Sequence, residues 1–427
     1  MTASTAPTHP RATPEPRHYL RLLTVTQFAF NTGFYAVLPY LAAHLGDGLG
    51  MAGWLVGLVL GLRTFSQQGL FVVGGALTDR YGPRPVVLTG CVLRVAGFCW
   101  LAQAATTATV IGAVLLIGFA AALFSPAVES ETARTAVAHE SATGTPRAQV
   151  LAVFSAAGQA GAFLGPLLGS LLLLLGGGFR TACLAGAVVF VGVFAGHARL
   201  MPRRPRPVRG RGLRAEPSAK GALLTREVFA NRPFLVLCLV HSTYLVSYNQ
   251  LYLALPAEVE RATGSQSALG GLFALSSLLV VVAQLPLTRW SARRITPRTA
   301  LATGLAVVAA GFTAVPLMPD GPAGLLPGAT LVVLLTLGQM LLVPAARGLV
   351  PDLVEDHRLG LATGALSSVS GLAVLVGSAA TGTLLGAPGP VLWTVLAAVP
   401  LAGAVLALTL TGGRRTPESG TTVTDQL

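Results

Sequence analysis

"GGALTDRYGPRP", residues 74–85, gathers three glycines, two prolines, an aspartate and two arginines at the end of an apolar run. In a water-soluble protein this would be an ordinary turn. Here it belongs to a chain that is 11% charged and 53% hydrophobic, with a mean hydropathy of +0.68. Soluble domains carry about 25% charged residues, so most of this chain has lipid as its solvent. Its apolar runs approach the ~20 residues that a helix needs to cross the hydrocarbon layer. They are continuous rather than alternating, which argues against a β-barrel. The expected fold class is an all-α membrane protein, with 74–85 as a polar loop between two spans.

Working outward from that loop, twelve runs can be laid out, at roughly 20–43, 52–74, 86–104, 108–128, 149–175, 180–200, 233–256, 267–289, 299–317, 323–344, 359–385 and 389–411. The fourth could extend toward Ala138. With the N-terminus in the cytoplasm, 25 of the 29 Lys and Arg residues fall on the cytoplasmic side. Only Arg180 and Arg261 fall outside, and Arg63 and Arg94 are embedded. This is the positive-inside distribution. It assigns the net charge of +13 to topology and removes the nucleic-acid partner that such a charge would otherwise suggest. Trp54, Trp100, Trp290 and Trp393 lie near span ends, as headgroup-level anchors would. The four cysteines sit in apolar runs without metal-ligand spacing and read as free thiols.

The Pro- and Arg-rich stretch after residue 200 divides the chain into six spans and six. The expected organisation is a disordered cytoplasmic tail (1–18), an N-terminal bundle (19–200), a basic linker (201–231), a C-terminal bundle (232–411) and a second cytoplasmic tail (412–427). The halves share short matches: "PRPVVLTG" (83–90) with "PRTALATG" (297–304), "FYAVLP" (34–39) with "LYLALP" (251–256), and "GSLL" (169–172) with "GTLL" (382–385). Nearly constant offsets imply parallel repeats related by a pseudo-two-fold axis along the membrane normal, with a site at their interface.

Polar residues on the spans point to that interface. Gln27, Asn31 and Tyr35 form one stripe on span 1; His241, Tyr244, Tyr248 and Tyr252 form another on span 7. Aligning Pro39 with Pro256 makes the two stripes counterparts. Together with Arg63 and Gln67 of span 2 they are the expected substrate cavity. Arg63 and Arg94 should not face lipid; each reads either as a cavity charge or as a clamp on helix-end carbonyls or on Glu129.

The opening loop resembles the signature loop of the major facilitator superfamily, G-x-L-x-D-R-x-G-R-K, through Gly75, Leu77, Asp79, Arg80, Gly82 and Arg84. Its glycines suit close helix approach and a tight turn. The resemblance implies a conformational latch, with Asp79 bonding the N-terminal end of span 11 in the outward-open state. "GQAGAFLGPLLGS" (158–170) resembles the superfamily's antiporter signature through Gly161, Gly165, Pro166 and Gly169. "LGLRTFSQQG", "LTGCVLRVAGF" and "GFAAALFSPA" resemble multidrug exporters of the MdtH type. Such a resemblance implies twelve helices in two six-helix bundles, drug efflux driven by a proton gradient, and no cofactor. The branch's usual arginine in span 4 is here Val114, and no carboxylate lies in the middle of a span.

The proton-coupling candidates are therefore Glu129, Glu131, His241 and Asp79. Glu129 and Glu131 are two apart and do not share a helix face. One of them, with Glu129 favoured, is expected to pair with an arginine of spans 2 or 3 and release it on protonation. No Walker A or metalloprotease motif occurs, so an enzyme is not expected. The reading is a monomeric, multi-pass exporter of amphipathic or aromatic small molecules in the cytoplasmic membrane. The alternative is an importer or facilitator of the same fold without proton coupling.

Overall fold

A computed structural model describes residues 16–202, 230–319, 324–354 and 359–410. Nearly all of the two expected tails and of the linker, and the side chain of Asp79, lie outside the described residues. What is described is helical, with no strand among those residues. Eleven helices are long and apolar enough to cross a membrane. In the N-terminal half they are span 2 (Gly53–Thr78), span 3 (Pro83–Leu101), span 4 (Thr107–Thr143), span 5 (Gln149–Leu174) and span 6 (Gly178–Leu200). In the C-terminal half they are span 7 (Arg232–Thr263), span 8 (Leu269–Arg294), span 9 (Pro297–Leu317), span 10 (Leu326–Leu353), span 11 (Leu361–Leu384) and span 12 (Gly389–Leu408). The helix Pro16–Tyr35 and its continuation Leu38–Ala43 form span 1, whose apolar character is diluted by its polar stripe. The result is two six-helix bundles.

Span 4 runs well past its expected end, reaching Thr143, and its final turns are amphipathic rather than apolar. Span 1 breaks after Tyr35, and span 7 loosens into a single 3-10 turn at Gln250–Tyr252. Both breaks fall inside the repeated hexapeptide. Pro39 and Pro256 bring no N–H for the carbonyls of Tyr35 and Tyr252, four residues earlier, so the helix cannot continue regularly there.

Small residues set how the spans pack. Span 2 carries Gly53, Gly57 and Gly61, four apart. A Cβ at these positions would run into the backbone of Gly382, Ser378 and Leu375 of span 11, so the two halves meet backbone-close along this seam. Span 2 is interrupted at Gly69–Leu70, and Ser368 of span 11 donates to the freed Gly69 carbonyl at 3.2 Å. Span 5 lays Gly161, Gly165 and Gly169 against the backbone of span 1 at Phe28, Thr32 and Ala36.

Two expectations are corrected. Gly75 does not mediate close helix approach: a Cβ there would meet nothing, whereas at Gly74 it would meet the Ala122 carbonyl of span 4. Trp393 is not an interfacial anchor; it is 3% exposed and stacks on Phe312. Trp54, Trp100 and Trp290 are exposed. The four cysteines are free thiols.

Candidate functional site

Between the halves lies a cavity of about 390 Å3, within the range of small-molecule sites. Span 1 lines it with Gln27, Asn31 and Tyr35, and span 7 with Tyr248 and Tyr252. Spans 4 and 5 add Glu129, Phe154, Ser155 and Gln159; spans 8 and 10 add Phe273, Ser276, Gln339 and Arg347. The cavity runs from the tyrosines at mid-depth toward the end that carries the termini, where Glu129 and Arg347 flank it. The opposite end is closed by hydrogen bonds. Tyr40 donates to the Pro166 carbonyl at 2.6 Å and shares a bond with Ser170, which in turn donates to the Ser267 carbonyl of the other half at 2.8 Å.

Glu129 and Arg347 are the charged residues of the lining. They come from opposite halves, and both are exposed to the cavity. Arg347 is the arginine that shares this cavity with Glu129. For Glu129 the expected arginine of spans 2 or 3 gives way to Arg347, because span 4 turns this side chain toward the cavity between the halves rather than into its own bundle. Glu131, on another face of span 4, is fully buried and does not line the cavity.

The span-7 stripe is a continuous ladder of rings. Centroids are 5.8 Å apart from His241 to Tyr244, 5.9 Å from Tyr244 to Tyr248 and 6.1 Å from Tyr248 to Tyr252. Tyr252 then stacks on Phe273 at 5.3 Å. His241 and Tyr244 continue the ladder behind the cavity lining; His241 Nδ1 lies 2.9 Å from Ser370 Oγ on span 11.

Arg63 and Gln67 also stand behind the lining. Arg63 donates to Gln67 Oε1 at 2.6 Å and lies 4.5 Å over the Phe34 ring. Phe34 in turn meets Tyr35 edge-on, with centroids 5.0 Å apart. Arg94 is enclosed by Phe30, Phe34, Phe98 and Phe190, with centroids 4.8–5.6 Å from its guanidinium. It donates to the Ile117 carbonyl of span 4 at 2.7 Å, so it clamps a carbonyl rather than Glu129. A mid-membrane arginine costs about 2.5–3.5 kcal/mol on insertion scales. A desolvated cation–π contact returns up to about 2 kcal/mol, so the phenylalanine cage offsets much of that cost.

Residues 22–321 and 237–426 match the Major Facilitator Superfamily. The chain belongs to this superfamily. It is 36% identical over 381 residues, 86% of both chains, to an uncharacterized MFS-type transporter of Mycobacterium tuberculosis. It is 32% identical over 343 residues to the multidrug resistance protein MdtH of Escherichia coli, covering 78% of this chain and 80% of that one. Among solved structures, a POT family transporter in complex with 5-aminolevulinic acid superposes with a TM-score of 0.76 at 13% identity, over 92% of this chain and 95% of that one. The nucleoside transporter NupG does so with a TM-score of 0.73 at 13% identity, over 92% and 98%. At such identities the likeness is one of fold. This chain is thus a multi-pass transporter of the major facilitator superfamily.

In the superfamily's signature loop, Gly82 has φ +85°, a conformation that favours glycine. Arg84 donates to the Ala198 carbonyl at 2.6 Å, tying span 3 to the end of span 6. Arg80 is exposed, 5.2 Å over the Tyr81 ring. Sequence reasoning passed over Arg347, Gln339 and Ser276, which carry no local motif. It also passed over a buried polar bridge: Thr64 donates to Asn249 Oδ1 at 3.2 Å and Asn249 donates to Ser378 Oγ at 2.7 Å, joining spans 2, 7 and 11. The glycine seam had a visible signal, "GWLVGLVLG" at 53–61.

Proposed function

We propose that this major facilitator protein exports amphipathic or aromatic small molecules in exchange for protons, by alternating access. The observation that supports this most is a cavity at the interface of two repeats, flanked at one end by a carboxylate and an arginine from opposite halves. The positive-inside distribution assigns that end to the cytoplasm, so this conformation faces inward. Closing the mouth brings spans 4 and 10 together and sets Glu129 against Arg347 on the floor of an outward-facing cavity. A proton arriving from outside neutralises Glu129, removes its attraction to Arg347 and lets the mouth reopen inward. A carrier group must change protonation as its surroundings change; arginine cannot. Likeness to MdtH supports the substrate class. Asp79 acts as the latch on span 11 in the outward-open state, and the transporter works as a monomer without a cofactor.

Efflux from proteoliposomes across a chemically varied panel, with and without a proton gradient, tests the reading. Gradient-driven accumulation of aromatic compounds is expected. A second reading, an uncoupled importer or facilitator, is favoured by the lack of a mid-span carboxylate among the described residues. It becomes the better one if every compound merely equilibrates.

A further inference from the structure

Arg63 and Arg94 are 8% and 2% exposed, and among the described residues no carboxylate pairs with either. Arg63 Nε and the Nε and Nη2 of Arg94 have no hydrogen-bond partner. Both guanidiniums lie against the same ring, Phe34, at 4.5 and 5.0 Å. Two positive charges thus reinforce each other in one bundle with nothing negative beside them. Phe34 in turn meets Tyr35 edge-on, with centroids 5.0 Å apart, so Arg63 stands one ring behind the wall where Tyr35, Tyr248 and Tyr252 line the closed end of the cavity. A phenol O–H donates as readily as it accepts. Three such groups backed by a fixed positive charge form a receptor for an anion, because donors in such a field bind a charged acceptor more strongly than a neutral one. A cation placed there would meet the same field as repulsion. Phe273, stacked on Tyr252 at 5.3 Å, supplies aromatic wall beside it.

We propose that the transported molecule is an aromatic organic anion or zwitterion whose carboxylate docks among Tyr35, Tyr248 and Tyr252 in the field of Arg63. This rests on the cavity being the substrate site. In a zwitterion the cationic group is then left toward Glu129 at the mouth. Charge is the selecting feature, and a lipophilic cation of the same size is disfavoured.

Three compounds sharing one fluorophore separate charge from shape: dansylglycine (anion), dansylglycinamide (neutral) and dansylcadaverine (cation). Binding to the purified full-length protein is read by dansyl fluorescence. Dansylglycine is expected to bind about tenfold tighter than either relative, as a hydrogen-bonded charge at a desolvated site would give. Arg63→Gln is expected to remove that preference, bringing dansylglycine and dansylglycinamide to within about twofold of each other. Should Arg63→Gln not fold, the double variant Tyr35→Phe/Tyr252→Phe, which keeps both rings, is expected to reduce the preference severalfold. Equal or tighter binding of dansylcadaverine overturns the proposal. So does a ranking that survives the variants that fold, or a failure of all three compounds to bind. Selective binding without gradient-driven transport would instead sink the exporter reading and leave this inference standing. Export of cations alone would do the reverse.

Discussion

Span 1 breaks after Tyr35 and span 7 around Tyr252, within a hexapeptide that the two halves share, and the two stripes of polar residues meet across the cavity. The charges do not follow that symmetry. The offset that relates "PRPVVLTG" to "PRTALATG" sets Val308 opposite Arg94 and Ser277 opposite Arg63. The N-terminal bundle buries two arginines, Arg94 among four phenylalanine rings and Arg63 over one, and the equivalent places in the C-terminal bundle hold an aliphatic and a hydroxyl side chain. A symmetric backbone suits two interchangeable openings, one to each side of the membrane. The proposed role of the asymmetric charge is to select what is drawn into either of them.

The sharpest way to break this comparison is to transplant the charge. Val308→Arg places a guanidinium at a site that is 1% exposed, where Phe312, one helical turn on, is the counterpart of only one of the four rings around Arg94. It is expected to cost at least about 3 kcal/mol and to abolish monodisperse protein in size-exclusion chromatography. The reverse change, Arg94→Met, removes a charge that no carboxylate balances. Replacing a buried charge by an apolar side chain of similar volume is often neutral, so its melting temperature should stay within the shift equivalent to about 1 kcal/mol. A well-folded Val308→Arg would show that the cage is incidental.

The next effect concerns the seam along which the halves meet. Gly57→Ala drives a methyl into the Ser378 carbonyl and is expected to lose about 1–3 kcal/mol, with transport falling with it. Gly75→Ala meets nothing and should stay within about 0.5 kcal/mol. Thermal melts of the two variants, side by side, check the difference. A smaller loss than at Gly57 is expected from Asn249→Leu, which removes both bonds of the Thr64–Asn249–Ser378 bridge. Interhelical bonds in membranes average about 0.6 kcal/mol, so a loss near 1 kcal/mol and a melting shift of a few degrees are expected. A shift of ten degrees or more would make that bridge a principal tie between the bundles.

Sequence alone carried the twelve spans, because the bilayer converts composition directly into helix length. The repeat was legible too, since a proline-ended hexapeptide leaves the same break wherever it recurs. Helix faces were harder to read. Span 2 is interrupted at Gly69–Leu70, which shifts the helical phase, and the small-residue contact therefore falls on Gly74 instead of Gly75. Trp393 sits at a span end yet turns inward onto Phe312, and no periodicity separates that from a headgroup anchor. That Glu129 shares its cavity mouth with an arginine was beyond local reading altogether. Arg347 stands on the other half, and only the way the two bundles meet brings it to the same cavity mouth.

The central claim, that substrate and protons move in opposite directions through one cavity with Glu129 as the exchanging group, has a direct test. Proteoliposomes are loaded with the pH dye pyranine at equal pH on both sides, and a substrate found in the efflux panel is added outside. The account predicts that substrate entry makes the lumen alkaline as protons leave. It also predicts that Glu129→Gln still binds the same substrate but gives no pH signal. A lumen that holds its pH while the wild type moves substrate, or a Glu129→Gln variant with the wild-type signal, contradicts it.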